Sequence, residues 1–178
     1  ITHFHMDHCG LAGMIAERSG APISLSEIEH QTIRTFSEDD GRVERMKDFC
    51  TKNGLDNAAI EEITRTFLAF QKATSPFAAC CYLADGDKLS VGGREIEVVS
   101  TPGHSRGHLS FLLPAERFLI AGDHILPAIT PNLSPDLIAP EFRPLESFLE
   151  SLTKVEQLEI ETIWPSHGPS FKNIRERI

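Results

Sequence analysis

Basic residues are in short supply: the 178-residue chain sets 17 Lys and Arg against 26 Asp and Glu, a formal net charge of −9. Affinity for polyanions rests mainly on basic patches that neutralise phosphates, so nucleic acid is not an expected partner. Long apolar runs are missing as well. None approaches the roughly 20 residues that span a bilayer, and no basic stretch is followed by an apolar one of the secretory kind, so no membrane partner is expected. Cysteine is scarce: Cys9, Cys50, Cys80 and Cys81 show no Cys-x-x-Cys spacing. The adjacent Cys80 and Cys81 are poorly placed to pair with each other. Reduced, mostly buried thiols are expected, and with them a cytoplasmic location. The remaining composition, 40% hydrophobic and 24% charged, is ordinary, and the length suits one domain with a sizeable core.

Histidine is what the chain concentrates. His3-Phe4-His5-Met6-Asp7-His8 places four potential metal ligands in one short segment. Two histidines one residue apart can reach one cation from the same side of an extended strand end, while Asp7 and His8, on the following turn, suit a second. Imidazole with carboxylate favours zinc or another borderline first-row metal over calcium or magnesium, which take all-oxygen shells. A purification tag is the mundane alternative. Against it, Phe4, Met6 and Asp7 interleave the histidines, and Leu11, Met14 and Ile15 follow at the spacing of an amphipathic helix. Ile1-Thr2 reads as the end of a strand that delivers His3, so further strands are expected ahead of it in the parent protein.

Helical periodicity runs from Leu11 to Gly20, a short strand over 22–25 follows, and Ser26-Glu27-Ile28-Glu29 has the form of a capping box. Val43, Met46 and Cys50 share a stripe, and Asp56 caps a helix with Ile60, Ile63, Phe67 and Leu68 on one face. With about fifty residues, the helical block has too little apolar surface to stand alone and reads as an insertion over 27–75. Strands are predicted from Pro76 onward, with turns at Asp85-Gly86-Asp87 and Gly92-Gly93 and a hairpin turn at 114–116. A Pro-rich loop over 127–144 is too long for a mere connection and is expected to be functional. A helix over 145–158 then buries Leu145, Phe148, Leu149, Leu152 and Val155, and a strand over 160–164 leads into Ser166-His167-Gly168.

Three later strand ends each offer one ligand: His104 in Thr101-Pro102-Gly103-His104, Asp123 in Gly122-Asp123, and His167. Glycine beside each is expected to let backbone come close to a cation. Taken in order, His-x-His-x-Asp-His, Thr-Pro-Gly-His, Gly-Asp and Ser-His-Gly resemble the ligand motifs of the metallo-β-lactamase-fold hydrolase superfamily, especially its glyoxalase II-like (hydroxyacylglutathione hydrolase-like) members. The resemblance spans His3 to His167. It implies an α+β fold, an αββα sandwich lacking its N-terminal strands here, in a single domain over 1–178 whose 27–75 insertion roofs the active site. It further implies that His3, His5 and His104 hold a first metal and Asp7, His8 and His167 a second, with Asp123 bridging. Two Zn²⁺ per chain are expected, with Fe or Mn as substitutes.

Flavodiiron relatives carry Glu at the position of His5, and the true β-lactamase subclasses differ at Asp123, so neither activity is expected. Of the other histidines, His108 is expected to hydrogen-bond to a ligand, His124 either to face substrate, to orient Asp123 or to pack, and His30 to be exposed. Two cations about 3.5–4 Å apart lower the pKa of a shared solvent molecule from 15.7 toward about 7. The resemblance thus implies a metal-bridging hydroxide that cleaves a thioester, ester or lactone of a small-molecule substrate, with catalytic Asp7 also a proton acceptor. The alternatives are a phosphodiesterase or ribonuclease of the same superfamily, a mononuclear iron persulfide dioxygenase, and a non-catalytic zinc-binding protein. Ten acidic against seven basic residues over 27–75 rank the nuclease lower. A homo-oligomer is compatible with all of these.

Overall fold

The computed structural model describes residues 1–38, 41–73 and 77–178. In chain order the elements are α1 (Met6–Cys9), α2 (Ala12–Ser19), β1 (Ser24–Leu25), α3 (Glu27–Glu38), α4 (Arg42–Lys52), α5 (Asn57–Ala73), β2 (Cys81–Tyr82), β3 (Lys88–Val91), β4 (Arg94–Ser100), β5 (Leu109–Leu113), β6 (Phe118–Gly122), α6 (Pro144–Glu156), β7 (Thr162–Pro165) and α7 (Ile174–Arg177). A five-stranded sheet runs β3-β4-β5-β6-β7, antiparallel except for the parallel β6/β7 pair, and β1 pairs in parallel with β2. Among the described residues no helix is long and apolar enough to cross a membrane.

Alternation along β4 explains the layering. Side chains of successive strand residues point to opposite faces, and Val98 and Val99 are both buried but join different clusters. Val98 packs with Leu83 and Leu109, on the side of the β1–β2 pair, where the Leu83 amide donates to Leu25 O at 3.0 Å. Val99 packs with Leu112, Leu119, Ala121, Ile125 and Ile163, and Val155 of α6 covers them. Both faces of the sheet are therefore buried, in a mixed α/β layer structure.

Strand direction then positions the site. Because β4 is antiparallel to β5, and β5 to β6, strands β4 and β6 run the same way, and β7 runs with them. The loops after β4, β6 and β7 consequently leave one edge of the sheet, and these are the loops that carry His104, Asp123 and His167. A register shift between Ile120 and Gly122 marks the end of the β6 ladder just before Asp123.

Several local expectations are altered. Thr2 is not in a strand: one bond, from Leu109 N–H to Thr2 O at 2.9 Å, ties the segment to the start of β5. The predicted capping box is half formed. Ser26 Oγ accepts the Glu29 N–H at 3.2 Å, but the Glu29 side chain turns away into the protein. On α6, Leu145 and Leu149 are 60% and 54% exposed, while Phe148, Ser151 and Val155 are buried. Ser151 lies at one edge of that stripe, where its hydroxyl donates to Pro102 O at 2.8 Å, anchoring the loop before His104. Ile63 and Leu68 of α5 are likewise more than a third exposed, whereas Ile60 is buried. Cys9 and Cys50 are buried, but Cys80 and Cys81 are exposed, Cys81 in the surface strand β2 and Cys80 just before it. The helical segment 27–75 contains α3, α4 and α5; its expected end at Ser75 and the switch to strand at Pro76 lie outside the described residues.

Candidate metal centre

The opening segment folds around a single helical turn. His8 and Cys9 both donate their amides to His5 O at 2.9 Å, so α1 starts immediately after His5 and redirects the chain between the His3/His5 pair and the Asp7/His8 pair. All seven candidate ligands from the sequence are brought together at the sheet edge. Their ligand atoms fall into three overlapping groups, His3-His5-His104, His3-His8-Asp123 and Asp7-His8-His167, with every atom within 4.8 Å of the others in its group.

In the first group His5 Nδ1 lies 3.0 Å from His3 Nε2 and 2.9 Å from His104 Nε2. In the last, Asp7 Oδ2 lies 3.4 Å from His8 Nε2 and 3.3 Å from His167 Nε2. Asp123 stands between them. Its Oδ2 is 3.4 Å from His104 Nε2, and its Oδ1 is 3.5 Å from both His8 Nε2 and His167 Nε2.

The surrounding bonds orient these rings. His104 Nδ1 donates to Asn132 O at 2.8 Å; a carbonyl only accepts, so the proton sits on Nδ1 and Nε2 presents its lone pair to the cluster. His3 Nδ1 contacts the Thr2 hydroxyl at 3.1 Å, which leaves Nε2 to face His5. His108 is fully buried and accepts the Asp123 N–H on Nε2 at 3.1 Å, while its Nδ1 contacts Thr101 Oγ1 at 2.8 Å. It therefore holds the Asp123 backbone, as expected. Glycine serves close packing here. A Cβ on Gly122 (φ +54) would stand 2.6 Å from His108 Nε2, and one on Gly103 would stand 2.6 Å from Phe148 Cβ.

Glu29 is the residue the sequence left unassigned to the site. It is 1% exposed, and its carboxylate accepts the Phe4 N–H and the Gly107 N–H, both at 2.7 Å. One carboxylate on α3 thus joins the His3-Phe4-His5 segment to the loop between His104 and His108. Only its place at the last position of a capping box drew attention to it, and that pattern explains a helix start, not this bridge.

Electrostatics favour neutral imidazoles. Burial pushes His3 down, His5 down to about 4, and His108 far down. For His8, burial outweighs the opposing pull of Asp123 and Asp7. Neutral imidazole is the form that binds metal. His8 Nε2 and Asp123 Oδ1 are buried with no hydrogen-bond partner. Buried polar atoms of this kind are rare and call for a ligand, and the donor set of five imidazoles and two carboxylates fits borderline first-row cations. Two divalent ions would bring the chain's −9 to −5.

The other histidines sort differently. His124 is fully buried edge-on to Phe148, with ring centroids 5.4 Å apart, and burial pushes it down to about 4; of the expected roles it takes packing. His30 is half-buried, not exposed, with Nδ1 3.0 Å from the Tyr82 hydroxyl. Cys9 donates its thiol to Phe4 O at 3.0 Å, and burial raises it to about 11, so it is a packed and unreactive group. Beside His5 and His104 lies a cavity of about 180 Å³.

A sequence profile described as the Metallo-beta-lactamase superfamily matches residues 1–167. Among solved structures, the chain is similar to a metallo-beta-lactamase family protein from Thermus thermophilus, with a TM-score of 0.84 and 30% identity over 99% of this chain and 56% of that one. It is 31% identical to the atrochrysone carboxyl ACP thioesterase of Aspergillus fumigatus over 96 residues, 54% of this chain and 28% of that protein. Over 175 residues, 98% of this chain and 48% of the relative, it is 26% identical to a hydroxyacylglutathione hydrolase of Idiomarina loihiensis. The chain thus spans about half or less of the length of these curated relatives.

Proposed function

Because the chain belongs to the metallo-beta-lactamase superfamily, we propose that it is a binuclear metal-dependent hydrolase acting on a thioester, ester or lactone. The observation that carries this reading is the division of Asp123, one oxygen 3.4 Å from His104 and the other 3.5 Å from His8 and His167. A closed structural site usually has four protein ligands around one zinc. Seven donors sharing a central carboxylate suit two cations with coordination positions left for water. His3, His5 and His104 would hold one, Asp7, His8 and His167 the other, and Asp123 both.

When bound, such a pair acidifies water and polarises a carbonyl oxygen. The chain's own residues supply orientation and proton handling. Asn132 O and Thr2 hold the His104 and His3 rings in register, and His108 holds the backbone of Asp123. Asp7, 56% exposed beside His167, is the accessible carboxylate on the solvent side and accepts the proton released by attacking water. No side-chain nucleophile is required. The likeness to a protein named as a thioesterase and to one named as a hydroxyacylglutathione hydrolase supports acyl cleavage over phosphodiester cleavage.

The test is to strip the protein with chelator, reload it with zinc, manganese or iron, and offer thioesters, lactones and phosphodiesters. Turnover of an acyl substrate only after reloading is expected. Cleavage of phosphodiesters alone, or acyl turnover indifferent to metal, would overturn the reading.

A further inference from the structure

We propose that the cavity beside the metal cluster is an acyl-chain site, selecting substrates with an apolar acyl group of about six to eight carbons, or one ring, next to the scissile carbonyl; an apolar cavity of about 150 Å³ takes up benzene. The inference rests on reading the centre as an acyl hydrolase. His5 and His104 form part of the wall, so the cavity adjoins the ligand cluster, and its volume is about 180 Å³. Its apolar surface comes from separate parts of the chain: Phe4 from the ligand segment, Met46 from α4, Phe67 from α5, and Leu137, Ile138 and Phe142 from the 127–144 loop. This assigns a use both to the long loop and to the helical segment. Two hydrogen bonds, from the Ile138 and Ala139 amides to Asp136 Oδ1 at 2.8 and 3.0 Å, hold the loop's turn.

The cations in the wall are engaged with the protein. Arg42 lies over the Phe67 ring at 4.6 Å, and Arg106 Nε is 3.5 Å from Asp136. The apolar wall is therefore suited to an alkyl or aryl group. Phe4 has a particular place, since it sits between His3 and His5 with its ring 4.4 Å from that of His5. A chain packed against Phe4 is held beside the cluster. Asp7 and His167, 56% and 48% exposed, do not line this cavity and are the more open part of the cluster. In the hydrolysis, water oxygen bonds to the acyl carbon as the carbon–sulfur or carbon–oxygen bond breaks. One water proton passes by way of Asp7 to the leaving thiolate or alkoxide and the other to solvent, giving a carboxylate and a thiol or alcohol. The cavity accordingly confers selectivity on the acyl side.

The experiment measures kcat/KM of the zinc-loaded protein for acetyl, butyryl, hexanoyl, octanoyl and palmitoyl thioesters of N-acetylcysteamine. Burial of each methylene is worth about fourfold, so the hexanoyl ester is expected to exceed the acetyl ester by more than tenfold, with no further gain at palmitoyl. Leu137→Trp and Ile138→Trp, which fill the cavity, are expected to lower the hexanoyl-to-acetyl ratio at least tenfold. A ratio below ten in the parent, or one unchanged in both folded variants, overturns the proposal. If no ester is cleaved, the acyl-hydrolase reading fails by itself, and the cavity is then read by calorimetric titration of the zinc-loaded protein with acetate and hexanoate. Hexanoate binding at least tenfold tighter supports the acyl site, and equal binding overturns it.

Discussion

Replacing Glu29 by Gln tests whether α3 holds the ligand loops in place. The carboxylate accepts two backbone amides at 2.7 Å while 1% exposed, and burial raises its pKa despite those bonds. Gln keeps the shape but offers one oxygen and one NH₂, so either the Phe4 or the Gly107 amide must face a donor. A buried donor left unsatisfied costs about 1–3 kcal/mol. For a chain of this length a mid-range 2 kcal/mol lowers the melting temperature by about 4–8 °C. The more telling effect is on metal. Phe4 lies between His3 and His5, and Gly107 precedes His108, which holds Asp123; losing groups that orient ligands typically costs about 10- to 100-fold in metal affinity. Chelator competition on Glu29→Gln, with Glu29→Ala alongside it, reads the zinc dissociation constant directly. If both variants keep zinc affinity within about twofold of the parent, less than the loss expected of an orienting group, Glu29 does not orient the ligands.

Asp123→Ala and His5→Ala are each expected to abolish hydrolysis and lower bound metal while far-ultraviolet circular dichroism stays close to the parent's; full metal content with retained turnover would refute their assignment. Asp85 is subject to upward pressure from burial, but hydrogen bonds from Lys154 and the Ser100 amide, with the Lys154 charge, outweigh it and hold its pKa below the ordinary carboxylate range. A depressed folded-state pKa gives stability that is present above the unfolded value of about 3.9 and is lost as pH falls through the folded one. The melting-temperature gap between parent and Asp85→Asn should therefore exist at neutral pH and close in acid; a gap that persists there contradicts the sign. In the core, Ile163→Ala, at a residue 1% exposed, is expected to cost about 2–5 kcal/mol. Leu149→Ala, at a residue 54% exposed, should fall within about 0.5 kcal/mol, as urea unfolding would show.

The candidate ligands are legible in the sequence because they sit in contiguous motifs at strand ends, where residue type alone announces coordination chemistry. His3, His5, Asp7 and His8 need no long-range information to be grouped, and the parallel run of β4, β6 and β7 brings the other three to them. What supports the cluster is not legible. Glu29 acts 25 residues from Phe4 and 78 from Gly107, and its local pattern already has an explanation as a helix cap. Asn132 works through a backbone carbonyl, which carries no side-chain signal. The face of α6 departs from expectation as well: apolar spacing puts Leu145 and Leu149 inside, whereas the buried stripe is Phe148, Ser151 and Val155, with Ser151 bonded to Pro102 O, a tertiary contact without a local signal. The cavity wall combines α4, α5 and the 127–144 loop, whose meeting depends on the whole fold.

Zinc stoichiometry tests the central claim most directly. Calorimetric titration of the chelator-stripped protein is predicted to saturate at two zinc ions per chain, since Asp123 serves two groups of ligands. Saturation at one ion or none would contradict the shared-carboxylate centre.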